Sequence, residues 1–185
     1  MSINQEGHAP DFEQSLAGLG VDVTYTTPPE FSETLRSIVE GQTIGVPLPF
    51  DSISQPEWVD TDVTPAKLNG ATTSVTPASL GIADYGSVVL DSTADGAEQS
   101  SLFVDLHIPV LSTNDIVRSM SDAIDHIGPK LRAGGSSIIA TGPSATADMG
   151  ALVKGAHGPK DVHVVVLTEQ TDRETTEQTD GGTNE

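Results

Sequence analysis

Twenty-seven Asp and Glu residues stand against 8 Lys and Arg in this 185-residue chain, a formal net charge of −19 at pH 7, and any compact fold has to form against that repulsion. At molar salt the Debye length falls to about 3 Å, and surface charges are then largely hidden from one another. Abundant Asp and Thr beside only four lysines, Lys67, Lys130, Lys154 and Lys160, therefore read as salt adaptation. Thermal stability is expected to rise as potassium chloride goes from low to molar concentration. Melts across a salt series check this, and a midpoint that stays flat or falls removes the salt-adapted reading. The same charge excludes nucleic acid and an anionic membrane surface as partners, because both need clustered Lys and Arg.

The length suits one α/β domain with a real core. Aromatic residues make up 4% of the chain, so that core is built from Val, Ile, Leu and Ala, which favours helices packed on a sheet. There is no cysteine. That removes disulfides, thiolate zinc sites and a thiol nucleophile together, and it places any iron–sulfur cluster of the pathway on another chain. Met1 to Glu6 has no basic or apolar leader character, and nowhere do about 18 apolar residues run together. A soluble, cytoplasmic protein without membrane insertion is expected.

Phe12, Leu16 and Leu19 have helical spacing closed by Gly18 and Gly20, and Val21 to Tyr25 alternates as a strand. Residues 1–27 thus read as a helix and strand arm of the domain, and 28–167 as its α/β body. Pro28-Pro29 opens a helix carrying Phe31, Leu35, Ile38 and Val39, and Thr43 to Val46 is strand-like. Asp51 to Lys67 reads as a long surface connection. Ala71 to Val75, Ser87 to Asp91, Leu102 to Asp105 and Ile108 to Leu111 are strand candidates. Thr113-Asn114-Asp115 is expected to start a helix with Ile116, Val117, Met120, Ala123, Ile124 and Ile127 on one stripe, ending at Gly128-Pro129. Ser137 to Ala140 reads as a buried strand, Ala145 to Lys154 as a helix and Val162 to Leu167 as a strand, together a parallel unit. Residues 168–185 have nothing to bury and are expected to form a disordered acidic tail.

Three segments could carry chemistry. Thr141-Gly142-Pro143-Ser144-Ala145-Thr146-Ala147-Asp148 puts small residues between a strand and the expected helix, where free backbone N–H groups make an anion site; a plain helix cap serves as well. No Gly-Lys-Ser/Thr follows, so nucleotide hydrolysis is not implied. Lys154-Gly155-Ala156-His157-Gly158-Pro159 delivers an imidazole beside the following strand, as a ligand-orienting group or as a turn residue. Asp84 in Gly81-Ile82-Ala83-Asp84-Tyr85-Gly86 either accepts from a ligand or makes an Asx-type turn with Gly86. His163 and His107 read as weaker candidates. There is no metal-ligand spacing, no Gly-x-Ser-x-Gly elbow and no dinucleotide fingerprint.

Taken in order, residues 81–90, 141–149 and 154–159, followed by Val162-His163-Val164-Val165-Val166-Leu167, resemble the LUD domain of the lactate-utilisation protein C family in a haloarchaeal-type form. The resemblance spans roughly residues 70–167. It departs from the family where Asp84-Tyr85 replaces Glu-Thr, Ala145 replaces Arg, and Met149-Gly150 replaces Ile-Glu. It implies a three-layer, mostly parallel α/β fold akin to ribose-5-phosphate isomerase and coenzyme A transferases. It also implies a ligand site from Asp84, Gly86, Gly142, Ser144, Thr146, Asp148, His157 and Gly158, gathered at the carboxyl ends of the strands.

Two functions follow. One is a cysteine-free accessory subunit of an iron–sulfur system that oxidises L-lactate to pyruvate, binding a small carboxylate, with no cofactor in this chain. The other is a stand-alone binder or enzyme for an anionic metabolite of the sugar phosphate, coenzyme A or folate type. No residue is assigned a catalytic step.

Overall fold

The computed structural model describes residues 7–148, 151–155 and 157–168. The first half runs α1 (Ala9–Gly18), β1 (Asp22–Thr26), α2 (Phe31–Ile38), β2 (Thr43–Gly45), α3 (Pro65–Gly70), β3 (Thr73–Pro77), β4 (Leu80–Ile82) and β5 (Ser87–Asp91). The second half runs α4 (Ala97–Leu102), β6 (Leu106–Ser112), β7 (Ile116–Val117), α5 (Met120–Arg132), β8 (Ser137–Thr141), β9 (Ala145–Asp148), β10 (Ala151–Lys154) and β11 (Asp161–Leu167). Of the expected acidic tail, residues 168–185, Thr168 is described and its N–H donates to the Thr26 carbonyl at 2.9 Å; the rest lies outside the described residues.

One sheet has the order β1-β11-β6-β3-β2, and all four of its pairings are parallel. A second sheet, β7-β4-β5-β8, mixes one parallel with two antiparallel pairings. The α/β architecture around a parallel sheet is the one the sequence implied.

Alternation along each strand sorts side chains into three cores. Val164 and Val166 of β11 face Val88 and Leu90 of β5, with Phe12 and Leu16 of α1 closing the same cluster between the sheets. On the opposite face of the parallel sheet, Val165, Ile108 and Val75 pack under Phe31 and Leu35 of α2. The outer face of the second sheet buries Leu80, Ile82 and Val89 against Ala123 and Ile127 of α5. The Asp51 to Lys67 connection contributes Trp58, whose ring carries the Arg36 guanidinium 4.7 Å from its centroid.

Several elements differ from expectation for local reasons. Ala145 to Lys154 is a β-hairpin, with Ala145 paired to Lys154 and Asp148 to Ala151. A helix there would have carried Gly150 in its interior at a cost of about 1 kcal/mol, and it has no capping box at its start. The expected strand–helix–strand unit is therefore absent, and β8 pairs antiparallel with β5 in the second sheet. Leu102 ends α4 instead of starting a strand, after Gly96 turns the chain with φ 83°. The long helix begins later than expected. Thr113–Asp115 forms one 3-10 turn, Ile116–Val117 pairs with β4, and α5 starts at Met120, where Ser119 and Asp122 form a capping box. Pro129 sits inside α5, which continues to Arg132, and Ile124 is exposed.

All four lysines are paired with aspartates at the surface: Lys67 with Asp60 and Asp62, Lys130 with Asp91, Lys154 with Asp161, and Lys160 with Asp105. Such exposed pairs are worth little stability. They do commit the chain's few ammonium groups away from any interior site.

Candidate functional site

Gly142 turns the chain out of β8 with φ 68° and hands it to Ser144, which is tied to the segment before β11 by three hydrogen bonds. The Ser144 N–H donates to the Pro159 carbonyl at 2.9 Å, the Gly155 N–H donates to the Ser144 carbonyl at 3.0 Å, and the His157 N–H donates to Ser144 Oγ at 3.3 Å. Gly158 makes the approach feasible, since a Cβ there would lie 3.1 Å from that of Ser144. The segments on either side of the β9–β10 hairpin are thus held together at its base as one structural unit.

This unit roofs a cleft of about 340 Å³ between the two sheets. Val162, Val164 and His107 line it from the parallel sheet, and Val88, Leu90, Ile138 and Ala140 from the second sheet. Gly142, Ser144, His157 and Gly158 stand at its opening, and Gly86 lines it from the start of β5. Five of the eight expected site residues therefore share one cleft. Asp84 is not among its lining residues; it is exposed in a 3-10 turn, Ala83–Tyr85. The backbones of Thr146 and Asp148 lie in β9, and their side chains fall outside the described residues.

Two further expectations need correction. The cleft opens at the amino ends of β6 and β11, as its lining by His107 and by residues 157–159 ahead of β11 shows. It does not lie at the carboxyl ends, where a separate pocket lined by Pro28, Ser112, Leu167 and Thr168 contains none of the expected site residues. The helix amino terminus proposed as an anion site does not exist, and the amides of Ser144, Gly155 and His157 already donate to protein oxygens. Among the described residues lining the cleft there is no Lys or Arg.

His107 is the residue that sequence reasoning undervalued. It is 2% exposed, and its Nε2 is 2.9 Å from Thr76 Oγ1 on the neighbouring strand. Burial pushes its pKa down to about 3, so the ring is neutral at ordinary pH. The available signal was an imidazole at an inward position of an otherwise aliphatic strand. His163, by contrast, bonds to Thr24 Oγ1 at 2.8 Å and does not line the cleft; burial lowers its pKa too. Among the described residues no group of three or more His, Asp or Glu is placed to hold a metal ion.

The LUD domain family model matches residues 59–167, which takes in both segments and most of the cleft. The chain belongs to the LUD domain family. Lactate utilization protein C of Deinococcus radiodurans is 29% identical over 126 residues, covering 66% of this chain and 59% of that protein. This LUD chain thus spans well under two thirds of its curated relative. A crystal structure of a DUF162 family protein from the same organism superimposes with a TM-score of 0.65 at 19% identity, covering 90% of this chain and 99% of that one. That likeness establishes the shared fold. No helix among the described residues is long and apolar enough to cross a membrane.

Proposed function

We propose that this LUD-domain chain acts in the cytoplasm as an accessory subunit of a system that oxidises L-lactate to pyruvate, alongside iron–sulfur proteins that carry the electrons. The observation that carries the reading is the match to the LUD family together with kinship to a protein named for lactate utilization. The chain has no cysteine, and clusters are held mainly by Cys thiolates, so electron transfer falls to partners. On this reading the cleft binds substrate or product, and Ser144 and His157 are among its lining residues. A carboxylate docking there would meet the His157 ring and the Ser144 hydroxyl.

The alternative ligands, sugar phosphates and coenzyme A, fit this cleft poorly. A phosphate, with up to two charges, needs a cation or free amides to replace its hydration more than a singly charged carboxylate does, and the described lining offers neither. Deleting the gene is expected to impair growth on lactate and spare growth on pyruvate. The purified chain alone should lack lactate dehydrogenase activity, and it should co-purify with iron–sulfur proteins from lactate-grown cells. Normal growth of the deletion strain on lactate, in a genome without a second copy, rejects the assignment.

A further inference from the structure

The cleft is larger and drier than a three-carbon acid requires. It measures about 340 Å³, and half of its lining residues are Val, Leu, Ile or Ala. Its polar side chains are mostly committed: the Ser101 hydroxyl donates to the Glu98 carbonyl at 2.7 Å, and the Thr141 and Ser87 hydroxyls share a 2.7 Å bond. That leaves His107 on the inside, with Ser144 and His157 at the mouth. Thr76 holds the His107 ring through Nε2 and the ring lines the cleft, which makes Nδ1 the nitrogen that the proposal assigns to a guest. With its pKa near 3 the imidazole is uncharged, and it therefore suits a neutral partner group rather than an anion.

We propose that the cleft binds a molecule with an apolar body of about two fused rings, inserted between the sheets so that a carbonyl or hydroxyl at its inner end hydrogen-bonds to His107. Burial between aliphatic walls supplies the affinity, roughly fourfold for each methylene-sized piece removed from water. His107 supplies orientation, because a guest without a polar end leaves a desolvated nitrogen unanswered. The inference concerns the same cleft as the proposed function but goes beyond it. Growth on lactate tests that function, and binding to the purified chain tests this one.

Titration calorimetry on the full chain in molar potassium chloride decides it, with three probes: the fused-ring ketone 1-tetralone, its parent hydrocarbon tetralin, and ribose 5-phosphate. The ketone is expected to bind at one site, the hydrocarbon about tenfold more weakly, and the sugar phosphate not at all. His107→Leu should bring the ketone down to the level of the hydrocarbon without weakening the hydrocarbon, a pattern that general damage to the fold would not give. If that variant does not fold, Ala140→Phe carries the test. It fills the cleft from β8 without removing a polar group and should abolish binding of both ring probes. Absence of ketone binding, tighter binding of ribose 5-phosphate, or unchanged ketone affinity in Ala140→Phe overturns the proposal.

Discussion

Gly86→Ala is expected to cost about 3 kcal/mol or more, lowering Tm by roughly 10 °C for a chain of this size. Gly86 adopts φ +61°, and a Cβ there would lie 2.9 Å from both the Leu16 nitrogen and the Ser15 carbonyl carbon. Neither atom can swing aside as a side-chain end can, because both belong to the backbone of α1. The substitution therefore forces α1 off the turn that precedes β5, and with it Phe12 and Leu16 out of the core between the sheets. Gly20→Ala is the control. Its φ of +68° is equally unfavourable for a side chain, but nothing lies within 4 Å of the added carbon, so it should cost only the dihedral strain, about 1 kcal/mol. Equal melts for the two variants would mean that α1 does not rest on Gly86. The glycine flagged as a ligand contact thus has a prior duty, which is to let a helix backbone sit against the lip of the cleft.

Acidification should unfold the protein through His107. Its pKa is about 3 when folded, against an ordinary value of 6.5. Between those two values the unfolded chain takes up a proton that the folded chain refuses. Stability is then complete above about pH 6.5 and is lost as pH falls toward 3, at up to about 1.4 kcal/mol per unit. His163, half-buried and shifted the same way, adds to the slope. Protonation of surface carboxylates acts in the opposite sense, because it relieves the repulsion of a −19 chain. The measurement therefore belongs in molar potassium chloride, where that repulsion is screened. Chemical denaturation from neutral pH downward should show a steep loss in the parent chain and a much shallower one in His107→Leu. The comparison is between slopes, so a variant weaker at neutral pH still answers the question. Parallel slopes would mean that the imidazole is hydrated or protonated in the folded state.

What could be read from the sequence was set by how local the cause is. Ser87–Asp91 is the strand expected, residue for residue, because a tight turn precedes it and polar turn residues follow it. Val162 to Leu167 was legible for a similar reason: a run of β-branched residues after Gly-Pro has few other fates. The 145–154 hairpin was not, since Ala, Thr and Asp leave the choice between helix and hairpin to partners elsewhere. The second sheet was hidden too. The bond between Ser87 and Thr141 joins residues 54 apart, and no spacing rule announces such a pairing. At the site, Ser144, His157 and Gly158 stood out because their loops carry Gly and Pro at fixed places. His107 did not, because its environment comes from Thr76 across the sheet and from the second sheet opposite it.

The strand order has a consequence for how the chain is made. β11 lies between β1 and β6, so β1 has no neighbour in the sheet until residues 161–167 have left the ribosome. During translation β1 is an unpaired edge tethered to a half-built sheet, with Val23 exposed to whatever else is nearby. Closure then depends on β11 pairing with β6 on one side and β1 on the other, a step of high contact order that is slow by nature. Nascent chains stalled ahead of residue 161 should therefore remain protease-sensitive around β1, and chaperone demand should fall once residues 161–167 have emerged.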